Sequence, residues 1–211
     1  QSHLIKTWCN MVGVPYNNEP TTINFNFREK EIAGSIIDQH IPKNDKPLLI
    51  FQPFGGPGKD NQPHPYAWTR DIHPTTAQQI VDKLKDQYNI LHVCYEFHPH
   101  LNDCVRLDKI FPKKELFGVL PYSAKRLFID SSLQHAAASM NLPSTVVWGA
   151  TNPEMFGYPV HNNIFPLNSY PRGTVDSYLY DYSFTGVVHE CPYDDITDIH
   201  DVDTIVNSVL A

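Results

Sequence analysis

Four short apolar runs recur along this chain: LLIFQ (48–52), NILHVC (89–94), RLFI (126–129) and STVVWG (144–149). Each is continuous rather than alternating, the pattern of a strand covered on both faces. Between the first two, TTAQQIVDKLKDQY (75–88) sets Ile80, Val81 and Leu84 on one helical face. Between the last two, SLQHAAASMN (132–141) reads as a helix of small residues. Strand–helix alternation of this kind closes on a parallel sheet with helices on both faces. The expected fold class is therefore α/β, a doubly wound, Rossmann-like parallel sheet.

The flanks carry weaker signals. HLIKTWCNMVGV (3–14) places Leu4, Ile5, Trp8, Met11 and Val12 at helical spacing, and Gly13 and Pro15 end the segment. The alternation TINFNF (22–27) reads as a short strand. A helix is expected over about 28–39, with Ile32, Ile36 and Ile37 inward. KKELFGVLPYSA (113–124) is partly helical, and the polar stretch before it, to about 112, has no clear pattern. Residues 150–185 read as ordered loops with one or two strands, and DVDTIVNSVLA (201–211) as a closing helix capped by Asp201. The expected division is 1–45, leading helix and linker elements, and 46–211, the Rossmann-like domain with a loop-rich tail.

Composition narrows the function classes. Hydrophobic residues make up 41% and charged residues 18%, enough to bury a core. A net charge of −7 removes any broad electrostatic case for nucleic acid or anionic membrane. No apolar run approaches the ~18–20 residues that span a bilayer. Cys9, Cys94, Cys104 and Cys191 have no CxxC spacing and read as reduced thiols, which points to a cytoplasmic setting. The chain opens on Gln1 and not on Met, as a processed chain or an excised domain would.

Three strand-end loops could carry chemistry. After the first strand, Gly55, Gly56 and Gly58 free the backbone and Lys59 adds an ammonium, so a phosphate could sit there. The spacing is neither GxGxxG nor GxxxxGK[ST], and a proline-stiffened surface loop is the plainer reading. After the third strand, Asp130, Ser131 and Ser132 lead straight into a helix, with His135 one turn in. Hydroxyls and unpaired N–H groups at the positive end of a helix suit a diphosphate. The same residues also suit a plain helix cap with a buried histidine. After the fourth strand, Thr151 and Asn152 could bond a phosphate or sugar, or Asn152 and Pro153 could simply set a turn. All three loops fall on one sheet edge if the fold is right.

The run FIDSSLQHAAASMNLPSTVVWGATNPEMFGY (128–158) resembles the C-terminal half of the ADP-heptose:lipopolysaccharide heptosyltransferases, glycosyltransferase family 9. Asp130, Ser131, His135, Pro143, Gly149, Thr151 and Pro153 match that family's pattern, while Ser132 stands where it usually has glycine. The opening HLIKTWCNMVGV and the glycine-rich loop with Lys59, then Trp68, are similar to its other elements, so the resemblance covers roughly 3–165. It implies one half of a GT-B enzyme: the domain that binds a nucleotide-diphospho-sugar donor. Transfer would invert the anomeric carbon and need no metal or other cofactor. The implied donor-binding residues are Gly55, Gly56, Lys59, Asp130, Ser131, Ser132, His135 and Thr151. Glu96, by its position after the second strand, is added as a ribose contact. The implied partners are a facing N-terminal Rossmann domain, which would supply the catalytic carboxylate, and a glycan or lipid-linked saccharide acceptor, which would bring the chain to the membrane surface.

Three other readings remain open. The chain could be a non-catalytic nucleotide- or partner-binding module derived from such a domain. Its 11 histidines, notably His98 and His100 with His64, His73 and His92, could hold a metal, although no HExxH or Cys/His framework is present. The acidic pairs Asp194–Asp195 and Asp201–Asp203 suggest glycosidase carboxylates only weakly.

Overall fold

A computed structural model describes residues 3–55, 68–109, 111–167 and 193–211. Helices α1 (Leu4–Met11) and α2 (Phe27–His40) precede β1 (Leu48–Gln52). Then follow α3 (Pro74–Leu84), β2 (Asn89–Val93), β3 (Val105–Leu107), α4 (Lys113–Phe117) and β4 (Lys125–Ile129). The rest is α5 (Ser132–Ser139), β5 (Thr145–Val147), α6 (Pro153–Phe156), β6 (Asn162–Ile164) and α7 (Val202–Leu210). The six strands form one sheet in the order β3-β2-β1-β4-β5-β6, every pair parallel. This is the doubly wound Rossmann order.

Period-two side chains feed two cores. Leu49, Phe51, Leu127, Ile129 and Val147 pack against Ile80, Val81 and Leu84 of α3 and Ile205 and Val209 of α7. Leu48, Ile50, Leu91 and Phe128 pack against Ala33 and Ile36 of α2 and Leu133, Ala136 and Ala137 of α5. Burial on both sides explains why these strands are predominantly apolar.

One expectation needs correction. TINFNF is not a strand: residues 22–26 join no ladder, and Phe27 opens α2. Asn26 instead forms a capping box, its Oδ1 accepting from Glu29 N–H and Glu29 Oε2 accepting from Asn26 N–H, each at 2.8 Å. The alternation is real but local, with Ile23 and Phe25 half-buried between exposed neighbours. In α1 the apolar face is present, yet no residue is buried; Trp8 is 57% and Met11 75% exposed. Asp201 caps α7 as expected, accepting from Thr204 N–H at 2.8 Å. No helix among the described residues is long and apolar enough to cross a membrane.

Candidate functional site

In an open parallel sheet a ligand crevice lies beyond the carboxyl ends of the strands, where their order reverses. Here that point falls between β1 and β4, which end at Gln52 and Ile129. Ser131 is the N-cap of α5, in extended backbone, and its Oγ accepts from Leu133 N–H at 3.3 Å. The same hydroxyl donates to Gln52 Oε1 at 2.5 Å. One serine thus caps the helix and ties it to β1 across the crevice. The positive end of α5 faces the gap.

A cation meets it from the other side. Arg70 lies in the turn before α3, and two backbone bonds fix that turn. Ile72 N–H donates to Pro53 C=O at 3.0 Å, and Ala150 N–H donates to Thr69 C=O at 2.7 Å. The segment is therefore clamped between the loops after β1 and β5. Both loops carry glycine at the contact. A Cβ on Gly149 would stand 2.6 Å from the Thr69 carbonyl oxygen, and one on Gly55 would overlap Arg70 Nη2. The guanidinium thus lies directly over Gly55. Its Nε is 3.9 Å from Asp71 Oδ1, an oxygen that also accepts from Gly55 N–H at 2.8 Å. Asp71 is buried, while the Arg70 side chain stays 38% exposed.

On the β4–β5 side, Asp130 is largely buried, and burial raises its carboxyl pKa. The nearby Thr151 hydroxyl opposes that rise, as do His135 and Arg70 by charge. His135 Nε2 is 3.9 Å from Asp130 Oδ1, and its Nδ1 is 3.0 Å from the Tyr158 hydroxyl. Burial lowers the His135 pKa and Asp130 partly restores it. The result is a short polar chain, Asp130–His135–Tyr158, leading away from the crevice. Asn152 caps α6, its Oδ1 accepting from Glu154 N–H at 2.9 Å, which is the turn-setting reading.

On the β2–β3 side, Ser132 is exposed in the first turn of α5. It lines a cleft of ≈ 100 Å³ with Val93, Tyr95, Asp108 and Phe111. Glu96 is exposed in the turn after β2, and its carbonyl accepts from Arg106 Nη2 at 2.7 Å. The crevice floor is aromatic. The Phe54 ring lies 5.7 Å from His92 and 5.3 Å from His98. Neither ring nitrogen of His92 has a hydrogen-bond partner among the described residues, and burial holds its pKa down to about 3. His98 Nδ1 accepts from Tyr95 N–H at 3.0 Å, and burial brings its pKa down to about 4.

The structure therefore gathers Gly55, Asp130, Ser131, Thr151 and His135 around one crevice, with Ser132 and Glu96 on its β2 side. Gly56, Lys59 and His64 lie outside the described residues. The metal reading gains nothing: His98 is buried while His100 is exposed. Among the described residues no group of three or more His, Cys, Asp or Glu is placed to hold a metal ion. The tail carboxylates serve local structure, Asp195 accepting from Thr197 N–H and Asp201 capping α7. Cys9, Cys94 and Cys104 are free thiols. Sequence reasoning missed Arg70, Gln52 and Tyr158. For Arg70 a signal existed, since it is the one Lys or Arg between Lys59 and the helix that follows.

No family model matches the sequence, and no curated protein matches it. Solved structures do match in fold. A glycosyltransferase family 9 protein from Veillonella parvula superposes with a TM-score of 0.68 at 12% identity, over 99% of this chain and 59% of that one. The iron-containing dodecameric glycosyltransferase TibC from enterotoxigenic E. coli gives 0.60 at 15% identity, over 94% and 51%. E. coli ADP-heptose lps heptosyltransferase II gives 0.53 at 14% identity, over 71% and 46%. The chain is thus an α/β domain with the fold that these three glycosyltransferases share. It spans between 46% and 59% of the length of these three proteins.

Proposed function

We propose that this chain is the donor-binding domain of an inverting glycosyltransferase and holds a nucleotide-diphospho-sugar. One observation carries the reading: the Arg70 guanidinium over Gly55 and the N-terminus of α5 face each other across the β1/β4 switch point. A diphosphate bridges such a gap, meeting a fixed cation on one side and unpaired helix N–H groups on the other. The nucleoside then lies toward Ser132, Glu96 and the small cleft, and the sugar toward Asp130, Thr151 and His135. TibC has been crystallised in complex with ADP-D-beta-D-heptose, which agrees with a nucleotide-sugar here.

In transfer, an acceptor hydroxyl oxygen bonds to the anomeric carbon as the bond to the diphosphate oxygen breaks. The electron pair leaves with the diphosphate, and the hydroxyl proton goes to a base outside this chain. Arg70 and the helix terminus lower the barrier by holding the charge that develops on the leaving group, with no metal required. Asp130, with its raised pKa, and the Thr151 hydroxyl offer hydrogen bonds to the sugar hydroxyls. The base belongs to a facing domain.

The test is calorimetric titration of the chain with ADP, UDP, GDP and their sugar conjugates. Saturable binding of one nucleotide, weakened at least about tenfold (~1.4 kcal/mol) by Arg70→Ala, is expected. No binding to any of them overturns the reading. It would leave a non-catalytic partner-binding module, which the exposed apolar face of α1 favours.

A further inference from the structure

A second concavity, ≈ 770 Å³ in volume, opens on the far side of Tyr158 from the crevice. Small-molecule sites commonly fall between about 300 and 1,000 Å³. One wall is the N-terminal segment around His3 and Tyr16; the other is the exit of α5 with α6 and the loop after it. Thr21 Oγ1 and Ser139 Oγ, 2.8 Å apart, join the walls.

The lining selects a ligand class. Tyr16, Tyr158 and Phe165 supply ring faces. Glu19 and Glu154 supply two carboxylates against the one ammonium of Lys6, so a phosphate is disfavoured here. His3 Nε2 is buried and has no hydrogen-bond partner among the described residues. Burial lowers the His3 pKa against a smaller pull from the Gly157 backbone, which favours the neutral ring, and with Nδ1 accepting from Ile5 N–H at 3.3 Å its Nε2 is a donor for a hydroxyl oxygen. Ring faces beside carboxylates, amides and a neutral imidazole match a pyranose, which has apolar C–H faces and a rim of hydroxyls. The two sites also touch. Tyr158 walls the groove, and its hydroxyl is 3.0 Å from His135 Nδ1, which leads to Asp130.

We propose that this groove is a second binding site, for a short neutral glycan. That the glycan is the acceptor rests on the donor-domain reading; that the groove binds one does not. The test is amide-shift mapping of the ¹⁵N-labelled chain with maltotriose, cellotriose, mannotriose and triacetylchitotriose at millimolar concentration, with inorganic phosphate as the contrasting probe. At least one saccharide is expected to give saturable shifts at Asn18, Asn141 and Gly157. Tyr16→Ala and Glu154→Gln, both at the groove rim, are each expected to weaken it about tenfold while nucleotide affinity is unchanged. Phosphate is expected to shift only crevice amides such as Gly55 and Leu133. Saccharide shifts with no nucleotide binding would overturn the donor reading and support the groove. No saturating saccharide, shifts confined to the crevice, or an affinity untouched by both substitutions would overturn the groove.

Discussion

The crevice and the groove share Tyr158 as a boundary, yet they are built in opposite ways. The crevice is made of backbone in close contact: Gly149 against the Thr69 carbonyl, Gly55 under Arg70, Ser131 bonded to Gln52. The groove is made of side chains such as Tyr16 and Glu154, which stand on loops or at the surface. A site of the first kind holds charge in fixed geometry and tolerates little change. A site of the second kind can alter its ligand without cost to the fold. The difference predicts that damage to the crevice and damage to the groove are separable.

The largest separation should come from acid. His92 and His98 lie under the crevice with native pKa values of about 3 and 4, against 6.5 for an unperturbed histidine. The unfolded chain therefore takes up protons first as pH falls. Stability is complete above pH ~6.5 and is lost on the way down toward 4 and 3, by about 1.4 kcal/mol per pH unit for each ring. Between about pH 7 and pH 5 the pair should remove about 3–4 kcal/mol. Urea unfolding at the two pH values measures it, and His92→Leu should reduce the slope by about half. Equal midpoints at both pH values would show that the crevice floor is not a buried neutral pair.

Two glycines sharpen the contrast within the crevice itself. Gly149→Ala drives a methyl against a backbone carbonyl that cannot move alone, so about 1–3 kcal/mol of stability should be lost. At about 2–4 °C per kcal/mol for a chain of this size, the melting temperature reads it directly. Gly55→Ala meets only the far end of the Arg70 side chain, which can swing aside. Its melting temperature should barely change, while nucleotide affinity falls about tenfold (~1.4 kcal/mol) because the cation is displaced. If Gly55→Ala costs more stability than Gly149→Ala, the assigned positions of Arg70 and Thr69 are wrong.

What the sequence discloses follows the same division. The central strands are readable because burial on both faces leaves few polar residues, such as His92 and Arg126, to interrupt the run. The edge strands are not: Val105–Leu107 contains Arg106 and Asn162–Ile164 contains two asparagines, since an edge need satisfy only one neighbour. Asp130, Ser131 and His135 are readable as a strand–turn–helix because their neighbours in space are their neighbours in sequence. Arg70 is not, because its place depends on the bonds from Ile72 to Pro53 and from Ala150 to Thr69, which only the folded sheet brings together. The α1 stripe shows the limit of periodicity, which predicts an apolar face but not whether anything covers it.

The smallest effect concerns Ser131 and separates capping from ligation. In the structure its hydroxyl is already engaged twice, by Leu133 N–H and by Gln52 Oε1. Ser131→Ala should therefore act mainly on the helix, removing about 1 kcal/mol as cap losses do. The melting temperature should fall by about 2–4 °C. Nucleotide affinity should fall only about two- to threefold, because the α5 N–H groups and Arg70 remain, and Ser131→Asn, which can still cap, should restore the melting temperature. A loss of tenfold or more in affinity with an unchanged melting temperature would mean that the hydroxyl leaves Gln52 and binds the ligand directly, and that the crevice is less rigid than its backbone contacts imply.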